Sequence, residues 1–375
     1  MNERRANADT DALAREVREV LGGVPTQIAR LGHSSVTRGV WRVESAGATA
    51  VVKVLAAPGP GAGPGAHDPA STSYWLREAL VYAGGLPGPY RDAGVRCPAL
   101  IRRVDRADGD VALWLEDVRG VPADRWTLDD FDRALRRLGR AQGAYLAGAP
   151  LPSAGWESRG FLRSYLFRRR AEYDVLLATD DAWRHPAIAR HFDSGFRDEL
   201  RRLRADRERL LGFVEAAPAT FAHLDAWPDN LFDHGDELVL VDWGFAGIGS
   251  AGEDPGNLVP DSVFDLRHPA SILRDLDGAV FTGYVAGLRE AGWDGDERLI
   301  RLGMTATACK YDWIAGATLW RAAQGTETQP IYGGVRVEPD VLFGTRAEVL
   351  RLMLDWATEA RGLAADLGLG GRESA

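Results

Sequence analysis

The feature that most constrains this chain is a polar loop followed at once by an apolar, strand-like run, past the middle of the sequence. In the loop, His223, Asp225 and Asn230 follow the pattern His-x-Asp-(x)4-Asn, and the apolar run ends at Asp242. Residues 233–236, Asp-His-Gly-Asp, predict a tight turn between the two, since these residue types favour turns. Because such a turn brings the strand back beside the loop, Asp242 is expected to lie close to Asn230.

Phosphoryl transfer explains why these residue types occur together. A carboxylate, here Asp225, would orient the attacking hydroxyl and take up its proton. An oxygen of Asn230 and a second carboxylate from Asp242 would hold Mg²⁺ on the nucleotide phosphates, because this hard cation prefers oxygen ligands. A His-x-Asp pair alone is common and indicates little, but the spaced Asn and the following apolar-Asp-Trp-Gly strand favour the functional interpretation.

The N-terminal part of the chain predicts one helix and then strands. Apolar residues at helical spacing run from Leu13 to Leu21, with Thr10 as the candidate N-cap. Strand-like segments separated by small residues follow, and the last of them, residues 49–55, is apolar almost throughout. This last segment is therefore expected to be a buried strand.

Lysine usage marks one position in that strand. Of the 45 basic residues only two are lysines, Lys53 and Lys310. Lys53 has apolar neighbours on both sides, where an unpaired buried charge is costly. A carboxylate and phosphate oxygens would offset that cost, and a compact ammonium fits such a place better than the planar guanidinium of arginine.

The remainder predicts a change from strands to helices. Residues 98–117 predict a β-hairpin. Helical patterns then recur at about 160–178, 187–215, 271–291, 297–322 and 345–366. The only strand-like interruption in this half is 221–243. The boundary falls near 116–120. We expect an α+β fold of two lobes, a small β-rich N-terminal lobe (1–118) that binds the nucleotide and a large α-helical C-terminal lobe (119–375) that carries the catalytic loop and the acceptor site.

The loop and strand resemble the catalytic loop and metal-binding strand of the aminoglycoside phosphotransferase family, within the protein-kinase-like superfamily. The resemblance covers residues from about 30 to 260 in motif order and implies a protein-kinase-like two-lobed fold. It implies that Asp225 is the catalytic base and that Asn230 and Asp242 are the metal ligands. His223 then resembles the residue that braces the loop.

The same resemblance assigns the nucleotide-binding residues. Lys53 resembles the strand lysine that contacts the α- and β-phosphates, and Glu78 resembles its helix partner. Residues 115–118, including Glu116 and Val118, resemble the hinge that binds adenine through its backbone. Ser34 and Ser35, between Gly32 and Gly39, are the candidate phosphate cradle.

Departures from the family pattern bear on the acceptor. Leu224 stands where the family has glycine and where protein kinases have the arginine that reads a phosphorylated activation loop. Residues 227–229 are Trp-Pro-Asp in place of His-Pro-Gly. Only a short stretch separates Asp242 from Asp254, too short for a regulated activation segment or a peptide platform. A small-molecule acceptor is therefore predicted.

Composition sets the remaining bounds. A formal net charge of −9 argues against nucleic acid or an anionic membrane as partner and is compatible with a cationic substrate. Two distant cysteines predict reduced thiols in a cytoplasmic protein, and no signal peptide or membrane-spanning run is recognised. A monomer or homodimer is expected.

Together these features predict a cytoplasmic, Mg²⁺-dependent kinase that moves the γ-phosphate of ATP or GTP to a small-molecule hydroxyl. By resemblance, the leading acceptor is an antibiotic (an aminoglycoside, nucleoside or macrolide) or a related natural product, which the transfer would inactivate. A primary metabolite such as choline, an amino-alcohol or a sugar is the second choice.

Other interpretations stay open at this point. The chain could be a catalytically silent nucleotide-binding module, or a hydrolase with His223, Asp225 and His234 as transition-metal ligands. The hairpin-tip position of His234 favours solvent exposure instead. Asp229 and Asp254 are more simply explained as braces of their loops, and Lys310 could be structural or close to the substrate.

Overall fold

The computed structural model describes residues 3–32, 37–167, 171–331, 334 and 336–369. Within them the strands are β1 (Gln27–Gly32), β2 (Thr37–Ser45), β3 (Ala48–Leu55), β4 (Val95–Arg96), β5 (Leu100–Asp105), β6 (Val111–Glu116), β7 (Val121–Pro122), β8 (Ser158–Arg159), β9 (Ala219–Ala222), β10 (Leu231–His234), β11 (Glu237–Leu240) and β12 (Gly247–Ser250). The α-helices are α1 (Glu3–Leu21), α2 (Arg77–Gly84), α3 (Gly88–Asp92), α4 (Leu128–Leu146), α5 (Phe161–Phe167), α6 (Ala171–Ala178), α7 (Asp180–Trp183), α8 (Pro186–Ala189), α9 (Ser194–Ala205), α10 (Arg207–Ala216), α11 (Glu253–Asp261), α12 (Leu273–Glu290), α13 (Glu297–Ala306), α14 (Asp312–Ala323) and α15 (Pro339–Asp366). Short 3₁₀ turns cover Pro64–Ala66, Ala123–Arg125, Pro228–Asn230, Ala270–Ile272 and Thr307–Lys310.

The N-terminal sheet is antiparallel, in the order β1-β2-β3-β6-β5. Burial alternates along β2, so one face packs against α1 through Leu13 and Val17, with Trp41 and Trp114 from the sheet. The helix begins at Glu3, well before Thr10, so the prediction of Thr10 as its N-cap is wrong. The residues before Thr10 are mostly polar, and only the later turns of the helix carry the apolar stripe. The sequence pattern therefore does not predict the first turns.

The second lobe is mostly helical, and the predicted α+β fold is confirmed. The prediction of one strand-like interruption at 221–243 is wrong in its extent, because the segment continues to β12, which pairs antiparallel with β9 and parallel with β8. The sequence of β12, Gly-Ile-Gly-Ser, lacks the alternating or apolar pattern that predicts a strand. β7 and β8 are two-residue strands and leave no pattern at all.

A second sheet, in the order β4-β11-β10-β7, draws strands from both sides of the predicted lobe boundary. β4 precedes residue 118, yet Val95 and Arg96 pair in parallel with Leu238 and Val239 of β11. This pairing ties the β10–β11 hairpin to a segment that precedes the predicted boundary. The division of the chain at 118/119 stays a prediction.

The helical lobe is organised around the pairing of α4 with α12. Glycines allow the two backbones to touch: a Cβ on Gly139 would lie 2.2 Å from the carbonyl oxygen of Tyr284, and one on Gly287 would lie 2.1 Å from that of Arg136. Since real side chains do not approach so closely, larger residues here would push the helices apart. Among the described residues, no helix combines the length and apolar character needed to cross a bilayer.

Candidate active site

The loop that carries His223, Asp225 and Asn230 leaves β9 at His223 and is held by the first turn of α11. Asp254 accepts hydrogen bonds from the backbone N–H groups of His223 (2.9 Å) and Leu224 (2.7 Å). The amide of Gln142, on α4, donates to the same carboxylate at 2.7 Å. Because three donors converge on one buried acid, the loop is anchored to the core of the helical lobe.

His223 is fully buried, and hydrogen bonds occupy both of its ring nitrogens. Nε2 donates to the carbonyl oxygen of Val241 (2.9 Å), and Nδ1 accepts from the backbone N–H of Asp225 (3.3 Å). Burial lowers the pKa of His223, which favours this neutral tautomer. Neither nitrogen is left for a transition metal, and His234 lies exposed at the end of β10, so the arrangement disfavours the hydrolase interpretation.

Leu224 adopts a left-handed backbone conformation (φ 67°) although its side chain is completely buried. The side chain packs with Phe161 and Ala222, and a Cβ on Gly249 would lie 2.6 Å from Leu224 Cδ2. The strain of a non-glycine residue in this region, about 1–2 kcal/mol, is therefore offset by apolar burial.

Because apolar burial stabilises Leu224 while its left-handed backbone is strained, the alanine and glycine variants at this position should differ in stability in an unusual order. Leu224→Ala loses the packing and keeps the strain, and should lower the free energy of unfolding by about 3–5 kcal/mol. Leu224→Gly loses the same packing but relieves the strain, so it should be about 1 kcal/mol more stable than the alanine variant. Urea denaturation measures both. At the buried helical residue Leu138 the order should reverse, since glycine is the poorer helix former.

Asp225 and Asn230 lie side by side in the loop. The Nδ2 of Asn230 donates to the backbone oxygen of Asp225 (3.0 Å) and to its Oδ2 (3.3 Å). Burial, and then the charge of Asp242, raise the pKa of Asp225 to about 7. The amide nitrogen of Asn230 is thus committed to Asp225, and the amide oxygen is the atom left to bind a cation.

Lys53 joins the two lobes across the cleft. Its Nζ lies 2.7 Å from Oε2 of Glu78 on α2 and 2.7 Å from Oδ1 of Asp242, which follows β11. Burial acts to raise the pKa of Asp242, but the Lys53 ammonium outweighs it and holds that pKa below its usual value. Asp242 has a left-handed backbone (φ 62°) and a side chain 42% exposed toward the cleft.

One cavity of about 680 Å³ is lined by all the predicted site residues that the structure describes. Its lining includes Lys53, Glu78, Glu116, Val118, Asp225, Asn230 and Asp242. Ser34 and Ser35 lie outside the described residues. The carboxylate of Glu116 accepts from Arg96 (2.7 Å) and from the N–H of Ala99 (3.0 Å), so the side chain stabilises the hinge, and any adenine contact falls to the backbone.

Sequence reasoning missed Arg77, which immediately precedes Glu78. Its guanidinium is fully buried and donates to backbone carbonyl oxygens, among them those of Gly244 (3.0 Å), Trp156 (2.8 Å) and Pro69 (2.9 Å). Helix α2 is thereby fixed to the segment after β11 that carries Asp242 and to the Pro/Gly-rich loop. Its acceptors are backbone oxygens, and those of Trp156 and Gly244 are distant in the chain, so no residue pattern predicts these contacts.

Sequence reasoning also missed the far wall of the cavity. Lys310, left open above, is buried in this wall and donates to Oδ1 of Asn257 (3.0 Å), whose amide donates in turn to the Leu224 carbonyl (3.5 Å). Asp261 and Trp313 line the same wall. The scarcity of lysine was the one signal available, since both lysines of the chain line the cavity.

The model of the phosphotransferase enzyme family (APH) matches residues 29–295, most of the chain. The chain belongs to this family. The resemblance inferred from the loop and strand is therefore confirmed, and the protein is a phosphotransferase. Among curated proteins, none matches the chain significantly.

Solved structures show the fold of this phosphotransferase. The amicoumacin kinase hAmiN in complex with AMP-PNP, Ca²⁺ and Ami is 12% identical, with a TM-score of 0.55, over 94% of this chain and 95% of that one. Choline kinase from Cryptosporidium parvum is 11% identical (TM-score 0.51; 96% and 97% covered). A choline/ethanolamine kinase family protein from Mesorhizobium loti is 16% identical (TM-score 0.52; 95% and 99% covered). The protein-kinase-like fold is thus confirmed.

The donor set of the phosphotransferase fits Mg²⁺. Asn230 and Asp242 offer oxygens only, and one or two protein ligands suffice when phosphate oxygens and water complete the shell. Within the described part of the chain, no group of three or more His, Cys, Asp or Glu is arranged to hold a metal ion. A cation here would therefore depend on the nucleotide for its remaining ligands.

Proposed function

We propose that this phosphotransferase moves the γ-phosphate of ATP or GTP to a hydroxyl of a small molecule. The observation that carries the proposal is the convergence of Asp225, Asn230, Asp242 and Lys53 on one cleft. An antibiotic or related natural product, inactivated by the transfer, is the first choice of acceptor. A primary metabolite such as choline, an amino-alcohol or a sugar is the second.

The nucleotide end of the cleft is built from the N-terminal sheet and the hinge. Backbone groups of residues 115–118 would bind the base, and Lys53 would contact the α- and β-phosphates. Glu78 holds the Lys53 ammonium in place at 2.7 Å, and Arg77 holds the helix that carries Glu78. Positioning and charge neutralisation of this kind supply most of the catalysis in phosphoryl transfer.

The chemical step would rest on Asp225. Its carboxylate would orient the acceptor hydroxyl and take up the hydroxyl proton as the oxygen attacks the γ-phosphorus and the bond to the β-phosphate oxygen breaks. The Asn230 amide fixes the orientation of that carboxylate. Asn230 and Asp242 would hold Mg²⁺, which neutralises charge on the phosphate oxygens when it is bound.

A small acceptor is supported by the short path from Asp242 to α11. After Asp242 the chain enters β12 and then begins α11 at Glu253. No segment of the described chain lies there that could seat an extended peptide. Amicoumacin kinase and choline kinase share the fold, and their names cover both acceptor classes considered. The cytoplasmic location and the oligomeric state stay predictions.

The decisive experiment is a transfer assay with ATP and GTP in parallel, across antibiotics and metabolites. The expected result is a product heavier by one phosphate, formed only with Mg²⁺ and lost with EDTA. Release of inorganic phosphate should be followed in the same reactions, since water can replace a missing acceptor slowly. Nucleotide binding with no γ-phosphate release to any acceptor or to water would favour the silent nucleotide-binding module.

A further inference from the structure

The cleft has a second end, lined from the helical lobe by α5, α11, the turn after α11 and residues 310–313. We call it the acceptor end, because nucleotide-binding elements line the remainder. Its charge balance differs from that of the whole chain, whose net charge of −9 suggested a cationic substrate. The difference arises because the carboxylates of the acceptor end already have basic partners.

Two of these pairs flank the turn after α11. Asp229 is paired with Arg267 at 2.6 Å, and the Arg267 guanidinium lies 5.7 Å from the ring centroid of Trp227. Asp265 is paired with Arg346 of α15 at 3.1 Å, and both side chains of that pair are almost completely buried. Each pair would have to be broken or crowded before its carboxylate could bind another cation.

The third pair involves Lys310. Its Nζ lies 3.8 Å from Oδ2 of Asp261, 3.0 Å from Oδ1 of Asn257 and 5.1 Å from the ring centroid of Tyr165. The ammonium is buried beside the space that the acceptor would fill. A second positive charge brought to this place would meet repulsion in a poorly solvated site.

The same pairing continues through the nucleotide end, where Lys53 contacts both Glu78 and Asp242, and arginines pair with Glu116 and Asp117. Asp225 is thus the one carboxylate in the described lining of the cleft that has no ion pair. The acceptor end therefore offers a substrate cation a single free carboxylate, and that one is needed for the hydroxyl.

Aromatic residues also line the acceptor end. Phe264 and Trp313 meet edge to face with centroids 5.3 Å apart, and Phe245 packs on Phe161 with centroids 5.0 Å apart. Phe245, Phe264 and Trp313 line the cleft together with Tyr165, and Phe161 supports Phe245 from behind this lining. Such walls favour a substrate that buries apolar surface rather than one covered with ammonium groups.

We infer that the acceptor is a hydroxylated molecule with apolar faces and at most one positive charge, and not a polycation such as an aminoglycoside. This inference rests on the proposed function and narrows its acceptor class. Removing one partner of a buried ion pair leaves an uncompensated charge, so a polycation cannot recruit the paired carboxylates cheaply. A neutral or singly charged acceptor leaves all three pairs intact.

The test uses kanamycin, a polycation, as inhibitor of Mg²⁺-dependent ATP hydrolysis in the absence of acceptor, at low and high salt. For the natural chain we expect neither phosphorylation of kanamycin nor salt-sensitive inhibition. Arg267→Gln frees Asp229 and should lower the inhibitory kanamycin concentration roughly three- to tenfold at low salt. Arg274→Gln is the matched control, since it breaks an exposed pair with Asp355 (2.7 Å) outside the cleft lining and should change nothing.

The possible outcomes separate this inference from the proposed function. Phosphorylation of kanamycin by the natural chain, or tight inhibition that weakens steeply with salt, would overturn the inference and leave the proposed function standing. Equal responses of the Arg267→Gln and Arg274→Gln variants would also overturn it, because the pairing would then not control the charge of the acceptor end. Absence of all γ-phosphate release would instead refute the proposed function, and the inference with it.

Discussion

Replacing Asp225 by Asn is expected to lower the turnover number for phosphoryl transfer by about a hundred- to ten-thousandfold. Asparagine has nearly the same size as aspartate, and the bond from Asn230 to the backbone oxygen of Asp225 does not depend on the side chain. The loop should therefore keep its shape. The variant lacks the charged carboxylate that would orient the acceptor hydroxyl and take up its proton.

Nucleotide affinity separates this loss from a general disruption of the site. Because Lys53, Glu78 and the hinge lie on other elements, ATP should bind the Asp225→Asn variant within a few-fold of the natural chain, as fluorescence titration with a nucleotide analogue would measure. Asp236→Asn, at the exposed tip of the hairpin that follows the same loop, is the matched control and should keep full activity. Turnover of Asp225→Asn within tenfold of the natural chain would remove Asp225 from the catalytic role.

The geometry of the loop and hairpin in the candidate site was predictable because its parts are close in the sequence. His223, Asp225, Asn230 and Asp242 lie on one loop and one hairpin, and the turn at 233–236 fixes how they meet. Local chemistry and spacing therefore determine the geometry. Lys53 was predictable for another reason, since a charged residue inside an apolar strand requires a partner, and the structure supplies two.

The acceptor end was not predictable, because its elements are far apart in the chain. Asp265 pairs with Arg346 across 81 residues and Lys310 meets Asn257 across 53, so no spacing rule connects them. The overall charge pointed toward a cationic acceptor, yet composition cannot report which carboxylates are already paired. The scarcity of lysine marked Lys310 as unusual without indicating whether it faces a substrate or the core.

The same limit explains the errors in the fold. β12 is a strand because β8 and β9 flank it and pair with it, although its own sequence is rich in glycine. β4 joins the second sheet because α3 packs on α4 and places it beside β11. In each case tertiary pairing determines the local structure, and the intrinsic preference of the segment does not.

Replacing Lys53 by Arg should lower turnover at least about a hundredfold although the positive charge is kept. The ammonium lies 2.7 Å from both Glu78 and Asp242 within a buried strand whose cross-strand neighbours are Val40 and Leu113. A planar guanidinium is larger and holds its donors in one fixed plane, so it cannot occupy the place of a compact ammonium 2.7 Å from both carboxylates without displacing its buried surroundings. The variant should therefore displace α2 or Asp242, or both.

Lys53→Met is the matched comparison, because it keeps the apolar stem and removes the charge. If positioning controls the reaction, the arginine and methionine variants should be similarly inactive with ATP, and neither should differ from the natural chain in far-ultraviolet circular dichroism. The arginine variant should also lose about 1–3 kcal/mol of unfolding free energy through overpacking. An arginine variant within tenfold of the natural turnover, beside an inactive methionine variant, would mean that charge alone suffices and that the paired geometry of Lys53 is not required.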